Sequence, residues 1–244
     1  TGTDSAGSYG GTGGETTLGP YGSIISPLDL GSGGQDAAGD GGGVVFINIS
    51  DTLNLTGFIS ANGTSKNGAG SGGSIYLITD KFIGDGNIQS TGGRTSISGD
   101  SAGGGGRIAV YYNSNSFTGV IKALGGASTA STENRGGGGT IYLKDRNYAY
   151  GDLMITNEVS YTTDDPTIIN STFLGGSQVR NLTVVNGSDV DFDSYLNISY
   201  LKISNFSKVS HQVNDDTQNW IINLSAKDLF LDNSSSINVL GLGY

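Results

Sequence analysis

Two pairs of adjacent carboxylates, Asp164-Asp165 and Asp215-Asp216, are the groups of this chain best suited to acid–base chemistry. An inverting glycosidase needs two carboxyl groups about 6.5–9.5 Å apart on neighbouring elements, on either side of the scissile bond. Each pair instead lies between short apolar runs, in a stretch whose composition is typical of a loop. We therefore expect both pairs to be solvated surface groups.

The chain contains a single histidine, His211, and no cysteine. A lone histidine without a serine and a carboxylate placed around it forms no triad, so His211 is expected to be an ordinary side chain of a strand over Val209–Gln212. The glycines Gly104–Gly106 precede neither a helix nor the lysine of a phosphate loop, so they read as spacers. These features predict that the chain is not an enzyme.

Four aspartates in loops rich in glycine and serine are weak candidates for calcium binding, because Ca²⁺ prefers hard oxygen ligands. They are Asp36, Asp40, Asp85 and Asp100. The glycine- and aspartate-containing nonapeptide of calcium-binding β-rolls does not occur. Whether the chain binds a structural Ca²⁺ ion is therefore left open by the sequence, and no other cofactor is expected.

Asparagine stands in ten Asn-x-Ser/Thr sequons, which in a secreted protein are acceptor sites for N-linked glycans. The ten are Asn48, Asn54, Asn62, Asn170, Asn181, Asn186, Asn197, Asn205, Asn223 and Asn233. The same tripeptides also suit tight turns, so turn chemistry is the alternative interpretation. The sequons favour an extracellular or cell-surface glycoprotein with N-linked glycans as partners.

Composition and charge exclude several classes of protein. The net charge is −10 and lysine and arginine form no cluster, so the basic surface that binds nucleic acid is missing. No apolar run approaches the ~18 residues of a membrane span. The chain begins at Thr1 without a signal peptide, which we interpret as a processed form or a fragment.

A repeat of glycines followed by an alternating strand organises the chain. Its strands start at Val44, Ser74, Arg107 and Thr140, at spacings of 30, 33 and 33 residues. Fixed periods of this length are typical of stacked repeat proteins. We predict an all-β fold, a parallel β-helix or β-solenoid, with about seven coils of three short strands each. In the fourth coil, a first strand over 140–145 is expected to be followed by a second over 152–157.

The chain divides into three parts on this interpretation. Residues 1–43 form a glycine-rich extension that contacts or continues a neighbouring repeat. Residues 44–147 form glycine-rich coils, and residues 148–244 form coils of the same stack that are rich in asparagine and serine. The long glycine-rich loops, 64–73, 94–106 and 127–139, are expected to project from one edge of the solenoid.

The later coils share the template Leu-x-apolar-x-Asn, which begins at Leu153, Leu182, Leu201 and Leu229. The apolar pair is expected to face the core. The asparagine of the template is expected to stand at a tight corner, because asparagine tolerates left-handed backbone geometry. Asparagines stacked in this way form a side-chain ladder that leaves no room for a sugar. The ladder and the glycan are therefore competing fates for Asn186, Asn205 and Asn233.

Aromatic side chains offer a further alternative. Trp220, Tyr111, Tyr112 and Tyr142 could form a face on which sugars stack. The other interpretation is that Tyr111 and Tyr142 stack on aromatic residues of the neighbouring coils and stabilise the sheet.

The Gly-Gly-x-Ile-x-Leu strands and their glycine-rich loops resemble the glycine-rich parallel β-helix repeats of large bacterial and archaeal surface proteins. The resemblance is closest over residues 42–145. It implies a right-handed, pectate-lyase-like β-helix at the cell surface, a fold that carries enzymes, adhesins and inert spacers alike. Polygalacturonase-like motifs would need His-Gly and Arg-Ile-Lys, where this chain has His211-Gln212 and Arg107-Ile108-Ala109.

Three functions follow from the sequence in order of preference. The first is a structural extracellular protein, a subunit or repeat of a filament, stalk or sheath, whose coils continue end to end into further copies. Its support is the final run 236–243, which reaches the point where another glycine-rich loop is due. The second is a carbohydrate-binding segment of an adhesin, and the third is a polysaccharide lyase or hydrolase.

Overall fold

The computed structural model describes residues 5–16, 18–35, 39–96, 100–128, 134–158, 165–176, 178–214 and 216–243. The described residues form eighteen strands in four sheets and contain no helix. All strand pairs but one are parallel and stack into a solenoid, so the predicted fold class is confirmed. The first ten strands are β1 (Val44–Asn48), β2 (Thr52–Leu55), β3 (Phe58–Ser60), β4 (Ser74–Ile78), β5 (Lys81–Gly84), β6 (Asn87–Gln89), β7 (Arg107–Tyr112), β8 (Ser114–Phe117), β9 (Val120–Lys122) and β10 (Gly139–Asp145).

These ten strands form the first solenoid. Its three coils, β1–β3, β4–β6 and β7–β9, each contribute one strand to each of three walls, and β10 extends the first wall. Val44 pairs with Ser74, Ser74 with Arg107, and Arg107 with Thr140, as the repeat spacing predicts.

The remaining eight strands form the second solenoid. They are β11 (Asp152–Thr156), β12 (Thr167–Ile169), β13 (Asn181–Val185), β14 (Asp189–Phe192), β15 (Leu196–Ser204), β16 (Lys208–Ser210), β17 (Leu224–Leu231) and β18 (Ser236–Ile237). Strands β11, β13, β15 and β17 join β1, β4, β7 and β10 in one eight-stranded sheet, called here the central sheet. Counted along this sheet, the chain makes three turns from β1 to β10 and three from β11 to β17, six in all and close to the seven coils expected.

The template of the later coils is confirmed by the strand register. Leu153 pairs with Leu182, Leu182 with Leu201, and Leu201 with Leu229. The described residues give two strands per coil here, where three runs were expected. In β15 and β17 the expected first and second runs join into one long strand, because neither glycine nor proline separates them.

The chain reverses direction between the two solenoids. Strand β11 was expected to start the second wall of the fourth coil, but it pairs antiparallel with β10 in the central sheet. A tight turn causes the reversal: the Asp145 carboxylate accepts bonds from the backbone N–H and the side-chain amide of Asn147, at 2.9 and 2.8 Å. Tyr148 N–H closes the turn on the Asp145 carbonyl at 3.1 Å.

The two solenoids bury opposite faces of the central sheet. Ile75, Ile108 and Ile141 lie in the core of the first solenoid. Leu153 and Ile155 lie in the core of the second, on the face that carries Tyr142. Both the strand direction and the buried face reverse at β10–β11, and these two reversals together preserve the sense in which the chain winds.

Residues 5–16 and 18–35 cover the outer face of the central sheet along the first solenoid. Tyr9 Oη lies 2.6 Å from Ser74 Oγ, and Tyr111 Oη donates to the Ile25 carbonyl at 2.8 Å. Ile24 is fully buried in the core of the second solenoid. The glycine-rich segment therefore packs against its own chain. It lies on the same face of the central sheet as the second core and continues that core along the first solenoid.

Arg107 anchors this segment from within. Its guanidinium is fully buried between the rings of Tyr9 and Phe173, at 5.5 and 5.0 Å from their centroids, and its Nε donates to the Tyr21 carbonyl at 2.9 Å. Complete burial lowers the pKa of Arg107 to about 10, so the group keeps its charge at neutral pH. A buried cation held by aromatic rings and a carbonyl fixes the path of the chain above it.

The described parts of the glycine-rich loops lie together at one edge of the central sheet, where they stack on one another. Gly72 N–H bonds to the Gly104 carbonyl at 3.0 Å, and Gly105 N–H bonds to the Gly137 carbonyl at 2.9 Å. A Cβ atom on Gly103 would overlap the carbonyl oxygen of Gly70. The main chains therefore approach more closely than any residue with a side chain permits.

Replacement of Gly103 by alanine is expected to lower the free energy of unfolding by about 1–3 kcal/mol, because the added methyl group must push two stacked loops apart. Gly57→Ala is the control, since no heavy atom lies within 4 Å of its Cβ position. Its stability should stay within about 0.5 kcal/mol of wild type. Thermal unfolding followed by circular dichroism measures both, and equal stability of the two variants would contradict this account.

Candidate functional site

The residues that could assemble a triad lie near one another without the required bonds. Ser210 Oγ donates directly to Asp191 Oδ1 at 2.6 Å. The neighbouring His211 is buried, and its Nδ1 lies 2.7 Å from the Gln212 carbonyl. His211 follows the short strand β16, close to the strand position expected for it. The hydroxyl therefore has a carboxylate as its partner, and the imidazole is engaged elsewhere.

The acidic pairs fall partly outside the described residues. Asp164 and Asp215 lie in the segments that the structure does not describe. Asp165 and Asp216 lie outside the strands, in agreement with the predicted loops.

The calcium candidates are dispersed. Asp36 lies outside the described residues, and Asp40 and Asp85 are exposed. Asp100 is buried, and its Oδ2 has no hydrogen-bond partner among the residues that the structure describes. Within the described segments, no three carboxylate, imidazole or thiol side chains come together as a metal site.

The sequon asparagines separate into two groups by the contacts of their side chains. Five are exposed and make no side-chain hydrogen bond within the described residues: Asn48, Asn54, Asn197, Asn223 and Asn233. The other five are Asn62, Asn170, Asn181, Asn186 and Asn205, whose amide groups bond to neighbouring loops, strands or corners. The first group offers the accessible amides that glycosylation requires.

Two of the predicted asparagine corners form a ladder. Asn186 and Asn205 both have left-handed backbones, with φ of 61° and 57°. Asn205 Nδ2 donates to Asn186 Oδ1 at 3.1 Å, and Asn186 Nδ2 donates to Thr156 Oγ1 at 3.2 Å. In the last coil, Asp232 accepts the Asn205 N–H at 2.8 Å, and this bond contributes most to lowering the pKa of Asp232, to about 2.

Aromatic rings stack along the outer face of the central sheet. Ring centroids are 5.2 Å apart for Phe46 and Tyr76, 5.5 Å for Tyr76 and Tyr111, and 5.9 Å for Tyr111 and Tyr142. The predicted contact of Tyr111 and Tyr142 with aromatic rings of neighbouring coils is confirmed, with the ring planes inclined to one another by 63° for Tyr76 and Tyr111 and by 56° for Tyr111 and Tyr142. Tyr112 lies on the opposite face, in the first core.

The first open end of the solenoid is formed by β1, β2 and β3, each of which has a strand neighbour on one side only. Val45 and Ile47 continue the core columns of Ile75 and Leu77, and both are partly exposed because no described coil covers them. Phe58 is 77% exposed. This end therefore presents unpaired backbone groups together with apolar side chains.

The second open end is formed by β17 and β18. Leu229 and Leu231 occupy the same core columns as Leu201 and Ile203. They are 55% and 42% exposed, whereas Leu201 and Ile203 are 2% and 0% exposed. The core of the second solenoid is thus open at this end of the described chain.

A cleft of about 600 Å³ lies beside the β10–β11 turn, at the edge where β15 and β17 begin. Tyr148 and Tyr150 line it and are 52% and 45% exposed. Arg180 lies 4.0 Å from the centre of the Tyr148 ring and forms an ion pair with Asp152. The sequence does not predict this cleft, because the turn that brings Tyr148 to Arg180 exists only through the reversal.

Within the described residues, no helix is long and apolar enough to cross a membrane.

Asn205→Ala is expected to lower the free energy of unfolding by about 1–2 kcal/mol. Alanine is strained in the left-handed backbone conformation, and it removes the side-chain hydrogen bond of the ladder. Asn205→Gly should cost less, since glycine adopts this backbone freely. Asn223→Ala, at an exposed sequon outside the ladder, is the control. Chemical denaturation measures the order, and an alanine variant as stable as the glycine variant would contradict the assigned strain.

Comparisons with known proteins do not assign the chain to a family. No protein-family model, no curated protein and no solved structure matches the chain. The resemblance to glycine-rich β-helix repeats therefore rests on the sequence pattern alone, and the open ends and the cleft are the features that bear on function.

Proposed function

We propose that the chain is a structural protein of the cell surface whose solenoid continues end to end into further copies, forming a filament, stalk or sheath. The observation that carries this proposal is the pair of open ends. Within the described residues, each end combines unpaired strand edges with apolar side chains in line with a core. Such edges pair readily with another strand, and monomeric solenoids normally cover them with caps.

The chemistry of the ends favours a second copy as the occupant. Val45 and Ile47 at one end and Leu229 and Leu231 at the other present aliphatic pairs of the same kind. A further coil placed on either end would bury these side chains as the internal coils bury theirs. Burial of apolar surface supplies about 25 cal/mol per Å² of stabilisation.

Five exposed sequons support a location outside the cell. Asn48 and Asn54 lie on the first coil, Asn197 lies on β15, and the other two lie on the last coil. Their amides point into solvent, so glycans there would extend from the sides of a filament.

Leu229→Lys is expected to abolish assembly, because it places an ammonium group in the apolar joint. Wild-type protein should form particles whose mass grows with concentration in sedimentation velocity. The variant should remain a folded monomer, since Leu229 is already half exposed in the single chain. Leu18→Lys, at an exposed leucine far from both ends, should assemble as wild type does. A wild-type protein that stays monomeric at high concentration would contradict the proposal.

Carbohydrate binding is a second candidate function, favoured by the cleft. Tyr148 and Tyr150 offer exposed rings, and Asn197, Ser199 and Ser225 offer hydrogen-bonding groups beside them. Apolar rings beside a few convergent polar groups are typical of small-ligand sites.

Tyr148→Ala is expected to weaken binding to an oligosaccharide on a glycan array about 3- to 10-fold, the range that corresponds to one aromatic contact. Tyr195→Ala removes an equally exposed tyrosine outside the cleft and should leave binding unchanged. Protein made without glycosylation is used, because Asn197 lies in the cleft. Equal binding by both variants, or none by wild type, would exclude this function.

A further inference from the structure

The directions of the terminal strands restrict how two copies can join. Strands β1 to β10 of the central sheet run in one direction, and β11 to β17 run in the opposite direction. A second copy added by translation alone would therefore place its β1 antiparallel to β17. Only a copy turned by half a turn about the stack axis places β1 parallel to β17.

The buried faces impose the same restriction. Val45 and Ile47 belong to the core on one face of the central sheet, while Leu229 and Leu231 continue the core on the other face. Translation alone would set these two pairs on opposite sides of the sheet, and both would stay exposed. A half turn brings them to the same side, so that each covers the other.

One register matches the apolar and aromatic side chains of residues 45–47 and 229–231 across such a joint. With Val45 beside Leu229 and Ile47 beside Leu231, both inward pairs are aliphatic. Phe46 then lies beside Phe230 on the outer face. Phe46 already contacts the Tyr76 ring, with centroids 5.2 Å apart, so Phe230 of the preceding copy would extend the aromatic column. Cross-strand aromatic pairs of this kind stabilise sheets.

We infer that successive copies are related by a screw operation, a half turn combined with a shift along the stack, and that β17 of one copy pairs in parallel with β1 of the next. This inference rests on the proposed end-to-end function. The shift equals eight strand spacings, about 38 Å, and the twist of the sheet adds to the half turn. Neighbouring copies therefore face opposite ways.

Disulfide trapping tests the register, because the chain contains no cysteine of its own. In the inferred joint, Asn48 lies beside Asp232, one residue beyond the Ile47–Leu231 pair. The double variant Asn48→Cys, Asp232→Cys should therefore give a ladder of cross-linked chains on a non-reducing gel after mild oxidation. An antiparallel joint would instead bring Asn48 to the other half of β17, beside Lys227. The double variant Asn48→Cys, Lys227→Cys is thus the matched control and should stay uncross-linked.

Electron microscopy of the wild-type protein provides the second measurement, which depends on no substitution. A half turn and a shift of about 38 Å between neighbouring copies are expected. Cross-linking of the 48/227 pair, or filaments whose copies are related by translation alone, would overturn the half turn and leave end-to-end assembly intact. Filaments in which neither pair cross-links would overturn the inferred register. The absence of any filament or oligomer in the wild type would overturn the proposed function itself, and this inference with it.

Discussion

Contact between glycine main chains is the constraint on which the rest of the structure depends. Columns of glycine, such as Gly70, Gly103 and Gly136, stack with no space for a Cβ atom between them. This packing fixes the height of each coil at the edge of the central sheet. It also forms the surface onto which the glycine-rich segment folds, through bonds from the N–H groups of Gly10 and Gly11 to the Gly105 carbonyl. The sheet, its covering segment and the alignment of the coils thus follow from one steric requirement.

Because of the reversal at β10–β11, the central sheet packs against a core on each of its two faces. A single central sheet serves two cores, one on each face, and the glycine-rich segment fills the space that the second core leaves beside the first solenoid. The chain therefore ends its stack facing the opposite way from its start. Any partner that continues the stack must therefore match the strand direction and the buried face of the last coil, whatever its own sequence.

The sequence predicts the repeat but not the reversal, and particular residues explain why. The strand starts at Val44, Ser74 and Arg107 are marked by glycine pairs, and the register follows from them. Both faces of β10 carry apolar or aromatic side chains, so alternation could not show which face Leu153 would join. The Asp145–Asn147 turn has the composition of any short loop. Of the candidate sites, the asparagine corners were predictable from the spacing of the template, whereas the Tyr148 cleft depends on tertiary contact alone.

The docking of the glycine-rich segment also has a consequence for how the chain is made. Thr12 donates through both its N–H and its hydroxyl to the Pro166 carbonyl, a contact that spans 154 residues. Chains are synthesised at about 5–20 residues per second, so the segment waits roughly 8–30 s for this partner to emerge. During that interval it exposes little apolar surface, because glycine and serine dominate its composition. The segment is therefore synthesised before the strands that it covers and docks only after them, and its polar composition keeps it solvated until then.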